Sequence, residues 1–577
     1  MAQRRSFVSI VEASSSLWSL ISNLPPSHAM VAPLCLAGVQ VAMGAFDNIY
    51  HHEIKERLPW STTALKEQHI HSLRGGMYVM VFFALAGVEP HGYLAYGLAG
   101  TLVVECGITL WDFVTEDRTR LHRGGLIPSE RITHTLMTLN YGAILACWLP
   151  VLLFDWGAQS TGIVFVNYGL PSLLSAVAAT CVGAWCVRDA YSVRRLARIV
   201  AAEAATPLVL GLHPRASTVS GSGQTQTQTQ THIQTRLRIL VTGGTGFLGL
   251  RLCSTLLREG HDVTLLTRDC VTAAIRLDAA CRSSTDSPLR GRISFVEDIS
   301  TLDPSSPLDI VINLAGEPLS ASRWTSARQA KLFSSRVDLT HKLVAFLRSM
   351  PPSARPEVMV SASAIGYYGA GYAADKAAST AVGGVGDASP VEVTESSLPA
   401  ETASLSHRLC LEWEATARQA ESLGIRVVLP RIGVVLGRQG GALAQMLTPF
   451  EFGLGGPLGH GRQWLPWIHI DDVLRAFALM VNDRSLSGPV NAVAPVPATS
   501  QQLADTLGQV LRRPSMIPVP ALALKLLLGS QLAEELLLTG QYIVPKKLLE
   551  ECQAGRFQYK YPTLDEALRE AALGERK

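Results

Sequence analysis

The apolar residues divide the chain into two unlike parts. Before residue 190, long apolar runs follow one another, whereas after residue 236 short apolar runs alternate with stretches of mixed polarity. Long runs are typical of membrane-spanning helices, since a bilayer crossing needs about 20 apolar residues. Short runs separated by amphipathic stretches are typical of buried parallel strands with connecting helices. The pattern therefore predicts an all-α transmembrane helical domain followed by an α/β domain.

The N-terminal runs predict four or five membrane spans, at 29–46, 76–88, 93–111, 138–155 and 163–187. Lys and Arg gather between these runs and after the last one. When 76–111 and 138–187 are each taken as a two-helix hairpin, all the basic clusters fall on one side. Because cytoplasmic loops keep their basic residues, that side is predicted to face the cytosol and to carry the α/β domain. The chain is thus expected to be a multi-pass membrane protein.

Ionisable residues recur at helical spacing around these runs. Residues four or seven apart share a helix face, and the pairs and sets are Asp47 with His51, Glu67 with His71, Glu105 with Asp112 and Glu116, and Glu130 with His134. Carboxylates and imidazoles on facing helices can hold two metal ions. Most of these residues are nevertheless predicted to lie in loops or at the ends of spans. We therefore favour a structural polar network without metal, and keep a di-metal site as the alternative.

Composition narrows the choice of partners and compartment. The 577 residues include 50 Lys and Arg against 47 Asp and Glu, a net charge of +3, and the basic residues are scattered. This balance gives no indication of nucleic acid binding. The ten cysteines contain no C-x-x-C pair, so we expect reduced thiols.

The predicted domain boundaries follow from these shifts in composition. We expect an N-terminal segment at 1–28, the transmembrane domain at 29–200, a linker at 201–235, the α/β domain with a second lobe at 236–513, and a helical C-terminal region at 514–577. The linker contains SGSGQTQTQTQTH, which has no apolar residue with which to bury a core. It is therefore predicted to be a flexible tether.

The first apolar run of the α/β part ends in a glycine-rich turn. Gly243, Gly246 and Gly249 have the spacing G-x-x-G-x-x-G, and an apolar helix pattern and a second strand at 261–268 follow. In such a turn backbone can approach a pyrophosphate, which then rests on the N-terminus of a helix. The stretch predicts a dinucleotide site formed by Gly243, Gly246, Phe247, Leu248 and Gly249.

The ends of the next strands bear on which dinucleotide is bound. The second strand ends at Thr267 and Arg268, and a basic residue there suits the 2′-phosphate of NADP. Asp269 keeps NAD as the alternative. The other predicted cofactor contacts follow the third and fourth strands: Asp298, Ile299, Leu314, Ala315, Gly316 and Glu317.

A series of blocks in one order carries a resemblance to a known family. The blocks are TGGTGFLG at 242–249, NLAGEPL at 313–319, RWT at 323–325, SASAIGYYG at 361–369, LCLEWEATA at 409–417, PRIGVVLGRQGGAL at 430–443 and PFEFGLGGPLGHGRQWLPWIHIDDV at 449–473, with LLLGSQLAEELLLTGQYIVPKKLLE and YPTLDEAL near the C-terminus. From about 236 to 570 the chain resembles the atypical extended short-chain dehydrogenase/reductase proteins of the epimerase family, which are sugar-nucleotide-epimerase-like. The resemblance implies a Rossmann-type sheet, NADP, and a pocket for a small-molecule substrate. For the N-terminal part we can name no characterised family.

Short-chain enzymes use a Tyr as general acid/base, with a Lys four residues later and a Ser that orients the substrate oxygen. Ser361 and Ser363 end an apolar strand, and Tyr367 follows them closely. These three are the predicted catalytic residues, with Tyr368 or Cys410 as substitutes for the Tyr. The helix expected to carry the Tyr and Lys, at 406–420, contains no Tyr.

Tyr372 and Lys376 have the Tyr-x-x-x-Lys spacing, but they lie in a Gly- and Ala-rich insertion. We interpret that match as chance. Side chains able to stack on a sugar or base, or to hold an anion, are the predicted substrate contacts: Arg323, Trp324, Arg431, His460 and Trp464.

Three functional hypotheses remain open at this point. The first is a membrane-anchored NADP-dependent oxidoreductase or epimerase that acts on a small carbonyl, sugar-nucleotide or lipid-like substrate. The second is a regulatory or scaffold protein that holds NADP without turnover, which the missing Tyr and Lys favour. The third is a reductase domain that passes electrons to a metal centre in the membrane part.

Overall fold

The computed structural model describes residues 29–120, 125–212, 236–282, 289–369, 390–399 and 404–575. The chain divides into two compact units, Met1–Ala197 and Arg198–Lys577. The boundary between them falls within the helix Leu170–Ala205. Each unit has its own apolar core.

The N-terminal unit is helical with one small two-stranded sheet. Its elements are α1 (Val31–Phe46), α2 (Leu65–Leu85), β1 (Val88–His91), α3 (Tyr93–Arg120), α4 (Pro128–Pro150), β2 (Gly162–Phe165) and α5 (Leu170–Ala205). α1 continues as a π-helix over Asp47–Lys55, and α4 continues as one over Val151–Trp156. β1 and β2 pair antiparallel.

The helices differ from the predicted spans in one informative way. The polar stretch that the sequence pattern places between the first two runs is mostly helical, because its carboxylates and imidazoles find partners inside the unit. Among the described residues, four helical segments are long and apolar enough, by length and composition, to cross a membrane: Val31–Lys55, Tyr93–Asp117, Pro128–Trp156 and Leu170–Ala205. The run at 76–88 forms only the second half of α2.

The C-terminal unit is built on a parallel sheet. Its strands are β3 (Arg238–Thr242), β4 (Asp262–Leu266), β5 (Arg292–Val296), β6 (Ile310–Asn313), β7 (Val358–Ser361), β8 (Ser363–Ala364), β9 (Arg426–Ile432) and β13 (Gly488–Ala492). The order is β13-β9-β7-β6-β3-β4-β5, with β8 alongside β9, and every pairing is parallel. The strand order reverses at β3, so a crevice opens between the ends of β3 and β6, where such sheets bind ligands.

Successive side chains along the central strands point to opposite faces of the sheet, and apolar side chains bury both faces. On β3, Ile239 and Val241 join one apolar core, whereas Leu240 joins the core on the other face. The helices that cover the faces are α6 (Phe247–Arg258), α7 (Cys270–Arg282), α8 (Ser326–Phe333), α9 (Leu339–Ser349), α10 (Leu405–Arg418), α11 (Gly441–Glu451) and α12 (Ile470–Asn482). These layers confirm the predicted Rossmann-type α/β architecture.

The remaining elements follow the sheet. The short strands are β10 (Val434–Leu436), β11 (Trp464–Leu465), β12 (Trp467–His469) and β14 (Ala498–Thr499), and the helices are α13 (Ser500–Leu511), α14 (Ala521–Leu528), α15 (Ser530–Ala533), α16 (Lys546–Gln553) and α17 (Leu564–Leu573). Thr499 and Thr563 begin α13 and α17 with capping boxes, in which a side chain satisfies free backbone N–H groups.

Part of the predicted linker belongs to the C-terminal unit. Linker residues 213–235, with the Gln/Thr repeat, lie outside the described residues. Before them, α5 continues to Ala205, and Leu208, Leu210 and Leu212 are buried in the core that contains β3. Alternating apolar side chains therefore attach this stretch to the C-terminal unit.

Candidate cofactor and substrate site

The glycine-rich turn joins β3 to α6 at the crevice. Gly243 has φ +70°, and a Cβ there would lie 2.5 Å from the carbonyl oxygen of Leu314. A Cβ on Gly249 would lie 2.3 Å from the carbonyl oxygen of Gly243. Because main chain rather than flexible side chains occupies that space, only glycine fits at both positions.

The N-terminus of α6 opens from this turn. Gly246 precedes the helix in an extended conformation, and no side chain caps the first backbone N–H groups. These free donors, together with the helix dipole, favour a negatively charged group. The turn and α6 thus have the donors and the close packing that a dinucleotide pyrophosphate requires.

A buried hydrogen-bond network fixes the strand ends beside the turn. Thr242 Oγ1 lies 2.6 Å from Asn313 Oδ1 and also accepts from the backbone N–H of Ala315. Asn313 Nδ2 donates to Thr340 Oγ1 and to Ser361 Oγ, at 2.9 and 3.0 Å. Ser361 is fully buried, so in this arrangement its hydroxyl holds strands together.

Arg268 lies at the end of β4 with its side chain 88% exposed. Its Nη1 donates to Glu317 Oε1 at 2.6 Å, and Arg328 and Lys331 approach the same carboxylate at 3.1 and 3.8 Å. Burial would raise the pKa of Glu317, but the hydrogen bonds and charges of its basic neighbours outweigh burial and lower it. Three cations around one carboxylate leave a positive surplus at the cofactor edge.

The other predicted cofactor residues lie along the same edge. Ala315 is buried, and Leu314 packs against the core. Asp298 is exposed, and its carboxylate accepts from the backbone N–H of Ser300, a bond that lowers the pKa of Asp298. Ile299 is buried behind Asp298, and Thr267 donates its hydroxyl to the carbonyl of Asp269.

Ser363 belongs to a second buried network. Its Oγ donates to Glu414 Oε1 at 2.7 Å, and Glu414 also receives Arg431 Nε and Nη2 at 2.9 and 3.0 Å. Arg431 Nη1 donates to the hydroxyl of Tyr368, which in turn donates to Asn491. Arg431, a predicted substrate contact, is only 2% exposed, so its guanidinium is already engaged by protein groups.

Tyr367 lies beside this network but is half-buried rather than enclosed. The guanidinium carbon of Arg431 sits 3.4 Å from the centre of its ring, a cation–π contact. Tyr368 is fully buried, and burial raises its pKa to about 12. Of the two tyrosines, Tyr367 is the one that a substrate could reach.

The helix α10 faces β8 with Ser406 and Cys410. A Cβ added to Gly366 would lie 3.0 Å from the Cβ of Ser406 and 3.7 Å from the sulfur of Cys410. Burial, with the nearby Glu414 carboxylate, raises the pKa of the Cys410 thiol to about 11. The thiol is therefore protonated at neutral pH, which does not suit a general base.

The remaining predicted substrate contacts are dispersed. Arg323 is exposed and donates to the backbone carbonyls of Leu526 and Leu527. Trp324 is buried and donates to the carbonyl of Leu319. His460 is exposed, whereas Trp464 packs edge-to-face on Tyr542 with ring centres 4.8 Å apart. Tyr372 and Lys376 lie outside the described residues.

Sequence reasoning missed Arg336. Its Cζ would be 2.7 Å from a Cβ on Gly316, its Nη2 donates to the carbonyl of Glu317, and its guanidinium lies over the ring of Trp413. Burial lowers the pKa of Arg336. Gly316 in the NLAGEPL block was the signal, because a glycine there makes room for a large neighbour.

In the N-terminal unit, the structure gathers the acidic and histidine residues that the sequence spaces along separate helices. They lie on helices rather than in loops, and most are buried. The prediction that many of them lie in loops is therefore wrong. Ion pairs inside the unit hold them, as a structural polar network requires, for example between Asp47 and His134.

Comparison with known proteins agrees with this architecture. Residues 239–492 match the NAD dependent epimerase/dehydratase family, and residues 519–571 match a domain of unknown function. Both matched ranges lie beyond the N-terminal unit.

Individual relatives match over nearly their whole length. The chloroplastic epimerase family protein SDR39U1 homolog of Arabidopsis thaliana is 35% identical over 358 residues, which span 62% of this chain and 93% of that protein. The epimerase family protein SDR39U1 of Homo sapiens is 34% identical over 336 residues, 58% of this chain and 99% of that protein. The crystal structure of the human protein with NADPH is 32% identical, covers 58% of this chain and 99% of that chain, and has a TM-score of 0.46. The chain belongs to the epimerase family of atypical extended short-chain dehydrogenase/reductase proteins.

Proposed function

We propose that the C-terminal unit binds NADP(H) and catalyses hydride transfer with a small-molecule substrate, as an oxidoreductase or epimerase anchored to a membrane by the N-terminal helices. The observation that carries this proposal is the glycine turn, where added Cβ atoms at Gly243 and Gly249 would meet main-chain atoms. Such close packing beside an uncapped helix N-terminus suits a bound pyrophosphate.

Arg268 favours NADP over NAD. Its side chain is exposed, and an ion pair at such a site is weak because water screens it. A 2′-phosphate can therefore replace the Glu317 carboxylate as the partner of Arg268 at little cost in free energy. The surplus of positive charge from Arg328 and Lys331 around Glu317 also suits a phosphate dianion.

Tyr367 is the proposed proton donor. A reduced nicotinamide, if held beside the glycine-rich turn, would supply the hydride for the carbonyl carbon of the substrate. Tyr367 gives its hydroxyl proton to the carbonyl oxygen, so that the carbonyl becomes an alcohol, and water returns the proton to Tyr367. Arg431, against the Tyr367 ring, stabilises the negative charge that develops on the phenolic oxygen. Epimerisation would use the same transfer in both directions.

The second candidate is a protein that holds NADP(H) without turnover. The observation in its favour is that α10 presents Ser406 and Cys410 to β8, with no Tyr or Lys on that face. Electron transfer to a metal centre, the third hypothesis, would require a metal site among the N-terminal helices.

Membrane anchoring rests on the four long apolar segments and on the exposed apolar side chains along them, such as Val103, Leu139 and Leu173. Lipid would cover surface that is costly to expose to water. Resistance of the protein to extraction from membranes by alkaline carbonate tests the anchoring, and release into the aqueous fraction would contradict it.

The decisive experiment is a fluorescence titration of the full-length protein in detergent with NADPH and with NADH. Arg268→Ala should weaken NADPH binding by about 10- to 100-fold, the value of a charge-assisted hydrogen bond or two, and leave NADH binding unchanged. Arg292→Ala is the matched control and should change neither, because Arg292 begins β5 at the amino ends of the strands, whereas Arg268 follows the carboxyl end of β4.

Addition of carbonyl compounds to the NADPH complex separates the candidates. Cofactor oxidation supports the oxidoreductase, whereas binding without oxidation across a broad panel favours the non-catalytic protein. If neither dinucleotide binds, the cofactor assignment is wrong.

A further inference from the structure

Buried ionisable side chains from four helical segments form one connected cluster in the N-terminal unit, here called the polar core. It consists of Asp47, His51, His52, Glu67, His71, Arg74, Glu105, Asp112, Glu116, Arg120, Glu130 and His134. None of these side chains is more than 18% exposed. The nucleotide site uses none of them.

The polar core has an excess of negative charge. Its six carboxylates face only two guanidiniums, those of Arg74 and Arg120, which leaves four negative charges if every imidazole is neutral. Uncompensated charge in a buried site is costly. Protons on the four histidines or on some of the carboxylates, or a bound cation, can supply the balance.

Protons on all four histidines are a poor way to balance the charge, because two of the histidine rings stack. The rings of His52 and His71 are nearly parallel, with their centres 4.6 Å apart. Two imidazolium rings in that position would repel each other. At least one of these imidazoles is better neutral, and a neutral imidazole has a lone pair that can bind a metal.

Ligand atoms converge beside His52. The Nε2 atoms of His52 and His134 lie 3.4 and 3.1 Å from the same oxygen, Asp47 Oδ2. Glu130 Oε1 lies 3.7 Å from His52 Nε2. Ligands about 2.1 Å from a tetrahedral ion are separated from one another by about 3.4 Å. The spacing of Asp47 Oδ2 and the two Nε2 atoms is therefore close to that of a coordination shell, and the Glu130 carboxylate lies beside them.

Two buried atoms at this point lack a hydrogen-bond partner. Among the residues that the structure describes, neither His52 Nε2 nor Glu130 Oε2 forms a hydrogen bond. His52 is 8% exposed and Glu130 is fully buried. Arg120 pairs with the other oxygen of Glu130, which leaves Oε2 available to an ion.

Neighbouring side chains orient the candidate ligand atoms, as the groups behind the ligands do in known metal sites. His51 Nδ1 lies 2.8 Å from Asp47 Oδ1, which leaves Oδ2 to face the two imidazoles. Glu116 Oε2 lies 3.3 Å from His134 Nδ1, so a proton on Nδ1 would leave the lone pair on Nε2. A carboxylate behind a metal-binding histidine is a common arrangement.

We propose that the polar core binds one divalent first-row transition-metal ion through four residues: Asp47, His52, Glu130 and His134. Two imidazoles with two carboxylates suit manganese, iron, cobalt or zinc. His52 also belongs to a second group, with His71 and Glu116. Because the two groups share one imidazole, we count a single ion. The ion lowers the buried negative charge and gives His52 Nε2 and Glu130 Oε2 the partner that no hydrogen bond supplies.

The test measures metal directly in the full-length protein purified in detergent without chelator. Inductively coupled plasma mass spectrometry should find about one transition-metal ion per chain. His52→Gln and His134→Gln should each lower this content by about tenfold or more. His69→Gln is the matched control, because His69 is on the same helix as His71 but exposed and outside the polar core, and it should retain the metal.

Cobalt loading provides a second readout. After removal of metal with a chelator, Co²⁺ should give visible absorption bands in the wild type and in His69→Gln but not in His52→Gln. Circular dichroism and unchanged NADPH binding show that each variant is folded. Metal-free wild-type protein that also takes up no Co²⁺, or a metal content that His52→Gln and His134→Gln leave unchanged, would overturn the proposal. The result does not depend on whether the C-terminal unit turns over a substrate.

Discussion

The carboxylate of Glu414 holds the guanidinium of Arg431 at two points, with Nε 2.9 Å from Oε1 and Nη2 3.0 Å from Oε2. Both side chains are buried, and the pair joins α10 to β9 directly beneath Tyr367. Arg431 is therefore positioned by Glu414, and it in turn positions the ring of Tyr367.

Glu414→Gln should destabilise the C-terminal unit by about 3 kcal/mol, since removing one partner of a buried pair leaves an uncompensated charge. Hydrogen exchange of β9 peptides at increasing urea concentration measures this free energy of unfolding. Glu421→Gln is the control, because its pair with Arg418 is largely exposed, and it should cost less than about 1 kcal/mol. Equal losses of unfolding free energy in the two variants would show that Tyr368 holds Arg431 without help from Glu414.

Gly249→Ala should abolish NADPH binding. The new methyl carbon would lie 2.3 Å from the carbonyl oxygen of Gly243, so the turn must open. Gly246→Ala is the milder comparison, because its methyl would lie 3.2 Å from the same oxygen at an ordinary φ of −80°. Isothermal titration of both variants with NADPH checks the difference. Normal affinity in Gly249→Ala would contradict the assigned role of the turn.

Tyr367→Phe should reduce turnover by about 10²- to 10⁴-fold with little change in NADPH affinity, because it removes the proton donor but not the cofactor contacts. Tyr368→Phe should instead lower stability, since Tyr368 bridges Arg431 and Asn491. Steady-state rates of NADPH oxidation compare the two. Turnover that survives Tyr367→Phe but is lost in Tyr372→Phe would assign the role of proton donor to Tyr372, in the insertion.

Cys410 should resist iodoacetamide in the native protein at pH 8. Burial raises its thiol pKa to about 11, so almost no thiolate is present, and the sulfur is enclosed. Half-exposed Cys270 should react before Cys410. Peptide mass spectrometry after alkylation gives the order, and Cys410→Ala should leave NADPH oxidation intact. Rapid labelling of Cys410, or loss of turnover in the variant, would make the thiol a catalytic candidate again.

The stability of the C-terminal unit should depend on pH through Glu570. Burial would raise its pKa, but the hydrogen bond and charge of His469 outweigh burial and hold the pKa well below its ordinary value of 4.5. A lowered carboxyl pKa contributes stability that is present above pH 4.5 and lost as the pH falls further.

Glu570→Gln should therefore cost at most about 3 kcal/mol at pH 7 and progressively less below pH 4.5. Urea unfolding at pH 7 and pH 3.5, with both proteins at each pH, measures the difference. A cost that is the same at both pH values would contradict this assignment.

The sequence predicted the sheet well because its signals are local. The run before Gly243 and the run that ends at Thr267 each combine apolar periodicity with a turn residue, and both became adjacent strands. The Leu208 to Leu212 stretch was assigned to the linker because the adjacent polar repeat dominated its composition. Which core its leucines join depends on contacts with residues distant in sequence, and no local pattern contains that information.

The candidate site was predictable in its residue types but not in its partners. Gly243 was predicted from spacing and Arg268 from its place at the end of a strand. The burial of Arg431 against Glu414 instead joins positions 17 residues apart through the fold. For the same reason the polar core was underestimated. Asp47 and His134 are 87 residues apart, and only the packing of α1 and its π-helical continuation against α4 brings them within 3.1 Å.

Phe247, the first residue of α6, packs its ring against a loop far along the chain. Added Cβ atoms on Gly437 and Gly440 would each lie 2.7 Å from that ring. The glycine-rich turn is therefore supported by the residues that immediately precede α11. During synthesis the ribosome must therefore deliver nearly 200 further residues before the turn can be completed. Domains generally fold as units, and dinucleotide capture by a nascent chain would mark the moment at which this unit has closed.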